Sequence, residues 1–388
     1  MHIAFLTPEY PHPKILHSAG IGTSIKNLAL ELVKNKHTVT VFIYSQNANE
    51  IFQVDGITIH KIAYKKYSMF SWYLYRKQLQ KYINTVIKVS QIDLLEAPDW
   101  TGITAFMKIK CPLLIRLHGT DTYFCHLEER KQKFKNYIFE KIALKSADYI
   151  ISVSEFTAKE TKRLFNIKRV IKVIHNGIDT IQFQNKKKQN TLSNDTNLDT
   201  TILYFGSIIR KKGVLELAQI FNKVIEKKPL AHLTLLGNDV NDIFENKSTL
   251  ALFMNKLSAN AKNNFTHIAH VPYMQVKEYI NKANVIVLPS FAEAFPMTWL
   301  EAMAMGKALV TSNIGWANEL MITGETGFME NPKAHQLYAN KIIELLENKE
   351  LNATFGNNAK QRIETGFSQQ LIGKQNIKYF ENIINDGD

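Results

Sequence analysis

The sequence predicts an α/β protein: two doubly wound, Rossmann-like domains with parallel sheets facing across a cleft. Three observations carry that expectation. Strand-like and helix-like runs alternate through the first half, a polar stretch interrupts them at 185–200, and the alternation then restarts. Strands separated by helical runs pair in parallel through crossover connections. A length of 388 residues suits two domains.

Each element follows from local pattern. "HIAFLTP" is a first strand, and "TSIKNLALELVKN" places Ile25, Leu28 and Leu32 at helical spacing. "HTVTVFIYS" is a second strand, followed by the basic, aromatic helix "YSMFSWYLYRKQLQKYINTVIKV". "QIDLLEAP" and "PLLIRLHGTD" are strands, "FKNYIFEKIALKSAD" a helix and "YIISVSE" a strand. The stretch "NKKKQNTLSNDTNLDT" has no apolar period and reads as a linker. Beyond it come the strand "TILYFGS", the helix "GVLELAQIFNKVIEK", the strand "AHLTLLGN", the helix "QVKEYINKA" and the strand "NVIVLPS". "MTWLEAMAMG" is a helix, "KALVTSN" a strand, and "AHQLYANKIIELLENKE" and "FSQQLIGKQNIKYFENIIN" are helices. The expected domains are 1–184, joined by 366–388, and 201–365. Ligands of such sheets bind beyond the carboxyl ends of the strands.

Composition narrows the class. The longest apolar runs have strand length, so no membrane span is expected. The start "MHIAFLTPEY" reads as a strand rather than a signal peptide. Two cysteines, Cys111 and Cys125, give neither a disulfide framework nor a metal pattern. Together these point to the cytoplasm and to no bound metal. The net charge of +13 is uneven, with 26 Lys and Arg against 15 Asp and Glu in residues 1–180. A basic half suits an anionic partner or is simply a solvated surface. Nothing in it reads bases, so nucleic acid is not expected.

Four loops can carry chemistry. In "HSAGIGTSIKN", Gly20 and Gly22 lie just before a helix N-terminus, where amides and dipole favour an anion; a plain flexible turn is the alternative. In "RLHGTD", His118 ends a strand and either faces the cleft as a hydrogen-bonding group or serves structure. In "FGSIIRKKGVLEL", Arg210, Lys211 and Lys212 precede a glycine and a helix, an order suited to a diphosphate. In "SFAEAFPMTWLEAMAMG", Glu293 sits on a loop, Pro296 suits the first helical turn, and Glu301 lies within an apolar helix. Two carboxylates so placed can accept hydrogen bonds from paired hydroxyls, as on a ribose or sugar. Alternatively Glu293 only favours the helix dipole and Glu301 is solvated.

The ordered set resembles glycosyltransferase family 4, the retaining nucleotide-sugar transferases with the GT-B fold. The motifs that carry the likeness are "NLALELVKNKHTVTVF", "RLHGTD", "ADYIISVSEFTAKE", "VIHNGIDTIQF", "FGSIIRKKG", "VIVLPSFAEAFPMTWLEAMAMGKALVTS" and "ETGFM". The resemblance implies that Glu301 binds the donor ribose and that Glu293 sits by the transferred sugar. It also implies that amides from Ala294 through Phe295 to Met297 contact sugar or phosphate. Lys212, with Arg210 nearby, would meet the leaving diphosphate. Gly20 would admit the diphosphate to the first domain, and His118 would face the donor sugar. The second domain would hold the nucleotide sugar, UDP-linked among the options, and the first the acceptor. The last helix would cross back onto the first domain. No cofactor or metal is implied, because family members generally lack an Asp-x-Asp metal motif and none occurs here.

Three positions depart from the family pattern. Ser207 stands where arginine is frequent, with Arg210 or Lys211 as the compensating cation. Pro296 stands for a glycine, and Ala19 for the first glycine of a pair. The expected activity is a cytoplasmic retaining transfer to a cell-surface polysaccharide or lipid-linked glycan. The alternative is an inactive nucleotide-sugar-binding or scaffold protein on the same fold. A nicotinamide oxidoreductase lacks its glycine fingerprint. "KKYSMFSWYLYRKQLQKY" either meets an anionic membrane surface or packs as a core helix with a basic outer face.

Overall fold

The computed structural model describes residues 1–183 and 200–386. The linker expected over 185–200 lies, but for Thr200, outside the described residues. The chain divides into two compact units, Met1–Asp179 with Phe367–Asp388, and Thr180–Gly366.

Unit 1 contains β1 (His2–Thr7), β2 (Thr38–Gln46), β3 (Glu50–Val54), β4 (Ile57–Ala63), β5 (Leu94–Pro98), β6 (Leu113–Leu117), β7 (Tyr149–Ser152) and β8 (Lys172–Val173). They form one sheet in the order β3-β4-β2-β1-β5-β6-β7-β8. Every pairing is parallel except β3 with β4. That hairpin went unread in the sequence, although Asp55-Gly56 announces it. Both residues take positive φ, 53° and 77°, as a two-residue hairpin turn requires.

Helices cover both faces of this sheet. Gly20–Lys34 places Ile25, Ala29 and Leu32 against Ile3, Phe5, Val39 and Val41. On the other face Ser71–Ser90 buries Tyr75, Leu79, Ile83 and Ile87. The body of that helix is therefore a core element, as one of the two sequence readings held.

The terminal helix Gln369–Asn385 belongs to unit 1. Phe380 and Ile383 join the core beside the first helix. Gly373 permits the approach, since a Cβ there would lie 2.2 Å from Glu31 Cγ. Beneath it, Arg116 donates to both oxygens of Glu96, at 2.7 and 2.8 Å, and to Asn376 Oδ1 at 2.6 Å. A buried guanidinium needs such complete pairing.

Unit 2 contains β9 (Thr201–Phe205), β10 (His232–Leu236), β11 (Phe265–Ile268), β12 (Val285–Leu288), β13 (Leu309–Ser312) and β14 (Gly327–Glu330). The order is β11-β10-β9-β12-β13-β14, parallel throughout. From β9 the chain builds outward through β10 and β11, then returns to place β12 on the other side of β9. The loops after β9 and β12 thus lie at a topological switch point, where ligands of open sheets bind.

Cys111 and Cys125 are free thiols. Among the described residues no helix is long and apolar enough to cross a membrane.

Candidate functional site

The switch point of unit 2 gathers the residues that the sequence singled out there. The loop after β9 reaches Gly213, whose φ is 71° and whose absent Cβ would lie 1.9 Å from the Pro289 carbonyl oxygen. Only glycine allows that contact. The Phe291 N–H then donates to the Lys211 carbonyl at 2.8 Å, tying the two loops together. The result is an ion pair: Lys212 Nζ lies 2.5 Å from Glu293 Oε1. Tyr204, on β9, is buried, and burial together with the Glu293 charge raises its phenol well above the usual range. Its hydroxyl donates to the Ser207 carbonyl at 2.8 Å.

Glu301 has a different setting. The helix Met297–Ala304 is buried at every position but Thr298, which suits its almost continuous apolar sequence. Glu301 is therefore buried too, at 4% exposure. The Tyr273 hydroxyl donates to Glu301 Oε1 at 2.7 Å. Burial pushes this carboxyl up to about 7, against the opposing pull of the Tyr273 hydrogen bond and the Lys212 charge. The solvated-helix alternative for Glu301 is excluded. Ala294, Phe295 and Met297 are buried on the same loop and first turn.

Two sequence expectations change here. Pro296 is the N-cap, with φ −73° and ψ 120°, and Met297 is the first helical residue. Arg210 is a loop anchor rather than a second cation beside Glu293. It donates to Asp242 at 2.6 and 3.1 Å and to Glu245 at 3.2 Å, and its guanidinium lies 5.2 Å from the Phe244 ring centre. Asp242 in turn accepts from the backbone of Phe244 and Glu245. Arg210 thus pairs with Asp242 and Glu245, while Lys212 is the cation paired with Glu293.

Unit 1 presents its own set at the carboxyl edge of its sheet. His118 follows β6 and is nearly buried, at 9% exposure. Burial and the neighbouring Arg116 charge pull its imidazole down to about 3, so it is neutral at physiological pH. Its backbone is fixed from β5: Asp99 accepts from the N–H groups of His118 and Gly119, at 2.9 and 3.2 Å. Asp99 is itself pushed up to about 8, by burial first and by nearby Glu140 as well. Glu140 accepts from the first amides of the helix Asp121–Leu127, at 2.8 and 3.2 Å.

The glycine loop also differs from expectation. The first helix begins at Gly20, with Ala19 as N-cap, so both glycines lie in its first turn. The Gly22 amide donates to Glu9 Oε1 at 2.8 Å, and a Cβ at Gly22 would meet the Glu9 carbonyl at 2.8 Å. A carboxylate of the same unit thus occupies the amide expected to face an anion. Around Gly20 a Cβ would meet nothing within 4 Å, so that position is open to an approaching group.

With this geometry in place, comparison with known proteins is decisive. Residues 18–182 match the family model "Glycosyltransferase Family 4", and residues 183–362 match "Glycosyl transferases group 1". The chain belongs to glycosyltransferase family 4. It is 27% identical to the capsular polysaccharide biosynthesis glycosyltransferase CapM of Staphylococcus aureus, over 97% of this chain and 98% of the relative. Its fold is GT-B. Sucrose-phosphate synthase from Thermosynechococcus elongatus superposes with a TM-score of 0.83, at 18% identity and 99% coverage of both chains. The Anabaena protein HepE, solved in complex with UDP-glucose, superposes at 0.73, with 17% identity and coverage of 98% and 100%. Family membership makes this chain a glycosyltransferase related to enzymes of polysaccharide biosynthesis.

Tyr273, Asp99, Glu140 and Glu9 were missed by sequence reasoning. Tyr273 carried a weak signal: an aromatic residue directly after Pro272 at a helix start, 28 residues from the carboxylate it meets. The Asp99 signal was weaker still, an acidic residue just past the strand "LLEAP".

Proposed function

We propose that this chain is a retaining glycosyltransferase that moves a sugar from a nucleoside-diphosphate sugar to a hydroxyl of a glycan or lipid-linked glycan. Surface polysaccharide synthesis is the favoured setting, given the likeness to CapM. A UDP-sugar is the favoured donor, because HepE has been solved with UDP-glucose. The observation that carries the reading is the pairing of Lys212 with Glu293 beside buried Glu301 at the unit 2 switch point.

The chemistry follows from charge. The bond from the anomeric carbon to the phosphate oxygen breaks, and negative charge collects on the nucleoside diphosphate. Lys212 and the backbone amides from Ala294 to Met297 meet that charge. The acceptor oxygen bonds to the anomeric carbon on the face the phosphate leaves, and its proton passes to a phosphate oxygen. Glu301 accepts the ribose hydroxyls, and Glu293 orients Lys212 and the transferred sugar. Both carboxylates arise from one short segment of unit 2, which fits ligand holding rather than the acid and base of a hydrolase. Unit 1 takes the acceptor, with His118 as a neutral hydrogen-bonding group. No metal enters this scheme.

A thermal-shift panel of nucleoside diphosphates and their sugars tests the donor. Stabilisation by uridine compounds alone is expected. Donor consumption, followed as release of UDP from a stabilising sugar, separates an enzyme from a binding protein. Tight binding with no release over a day, with or without glycan acceptors, would favour the inactive scaffold.

A further inference from the structure

The carboxyl edge of the unit 1 sheet carries an apolar wedge ringed by lysines. The loop between β4 and the helix Ser71–Ser90 leaves Met69 67% and Phe70 63% exposed. Phe70 has φ 48°, a left-handed conformation that bulky side chains avoid, and its ring buries little in return. Tyr73 and Leu74 continue the exposed surface along the helix. A second segment adds Phe134, 76% exposed, at the start of the helix Phe134–Ser146. The two segments join through Trp72, whose ring centre is 4.8 Å from that of Phe139 and 5.4 Å from Lys135 Nζ.

The charge on the first segment has one sign. From Ile57 to Ile92 there are seven Lys and Arg and no Asp or Glu. Lys65, Lys66, Lys133 and Lys135 are exposed and enter no ion pair among the described residues. Protruding apolar tips with unpaired ammonium groups beside them complement one surface above others. The tips enter the acyl boundary of a bilayer while the cations meet anionic headgroups. A nucleic acid would match the charge but leave Met69, Phe70 and Phe134 unburied.

We propose that Met69, Phe70 and Phe134, with Lys65, Lys66, Lys133 and Lys135, dock unit 1 on an anionic phospholipid bilayer. This rests on the proposed reading in one respect: it makes a lipid-linked glycan the acceptor. β4 runs parallel to β2, β2 to β1, β1 to β5 and β5 to β6. The wedge therefore leaves the sheet at the same edge as His118. A chain docked this way presents its acceptor residues to a headgroup-linked sugar rather than to bulk solution.

The test is sedimentation of the full chain with vesicles of phosphatidylcholine alone or mixed with phosphatidylglycerol. The mixed vesicles should pellet the chain at low salt, and the neutral ones should not. Met69→Ser with Phe70→Ser should weaken that binding by at least about tenfold, and Lys65→Glu with Lys66→Glu by a similar factor. Val170→Ser, an exposed apolar residue outside the wedge, should change nothing. Absence of pelleting with either vesicle overturns the proposal and leaves the face to a protein partner. Unaltered pelleting of the Met69–Phe70 double variant overturns it too, as charge alone would then suffice. UDP binding measured on the same samples keeps the readings apart: lipid binding without UDP binding sinks the UDP assignment, and the reverse sinks only the membrane face.

Discussion

The Tyr273 hydroxyl donates to Glu301 Oε1 at 2.7 Å, across 28 residues of chain. That bond holds down a carboxyl that burial lifts to about 7. A carboxylate that must accept two ribose hydroxyls is better suited in its charged form. Nucleotide affinity should therefore rise with pH through about 7 and level off above it. Tyr273→Phe removes the stabilising donor, so the midpoint should move to higher pH. Calorimetric titrations of UDP from pH 6 to about 9 check this, using the ordinary range of carboxyl perturbation as guide.

Stability should show the opposite dependence. Glu301 is raised above its unfolded value, so its favourable contribution is complete below about 4.5 and is lost as pH rises through about 7. Glu301→Gln cannot ionise. The variant should match the parent near pH 4.5 and exceed it at pH 8, by on the order of 3 kcal/mol. Denaturant melts at the two pH values, without nucleotide, measure the difference. A gain in stability coupled to a loss of binding is the mark of a residue kept for ligand.

Lys212 and Glu293 should separate in kinetics. Lys212→Ala removes the cation that meets the leaving diphosphate and should lower kcat by roughly 10²–10³-fold. It also removes the ion-pair partner of a buried carboxylate, so a melting curve must accompany the rate. Glu293→Ala should reduce kcat more than it weakens UDP binding. Equal losses in both would remove Glu293 from the transferred sugar. Neither the parent rate nor these ratios should respond to EDTA.

Gly213→Ala tests the scaffold beneath the pair. A methyl group would lie 1.9 Å from the Pro289 carbonyl oxygen, at φ 71°. The loops must part, at a cost of about 2 kcal/mol or more. Thermal melting should fall, and turnover should fall with it.

His118 should not titrate near neutrality. Its imidazole is pulled down to about 3 by burial and by Arg116. The ring resonances followed by NMR should stay constant from pH 8 to about 5, where an ordinary histidine would be half protonated near 6.5. A midpoint above 6 would mean that water reaches the ring and that it is available as an acid.

Much of this was legible in sequence because it is local. The strand–loop–helix order around Lys212 and the Glu293–Glu301 spacing lie within short segments whose periodicity sets their place. The anchoring of Arg210 was not legible for the opposite reason. Its partner Asp242 is 32 residues away, and nothing local shows which of three adjacent basic residues a distant loop will claim. Gly22 illustrates the same limit, since its amide is taken by Glu9 across the turn. The exposed wedge at Met69 and Phe70 was half visible. The aromatic and basic composition stood out, but the helix body it runs into is core, with Leu79 and Ile83 fully buried. Pro296 lies one position earlier than a first-turn proline, as the N-cap itself, with no side-chain cap made.

The most direct measurement is the dissociation constant of UDP for the parent chain and for Glu301→Ala, by calorimetry at pH 8. Loss of a charge-assisted pair of hydroxyl contacts should weaken binding by at least about tenfold, with the fold intact by melting. An unchanged Kd would contradict the placement of the nucleotide at Glu301, and with it the site from which the proposed transfer is read.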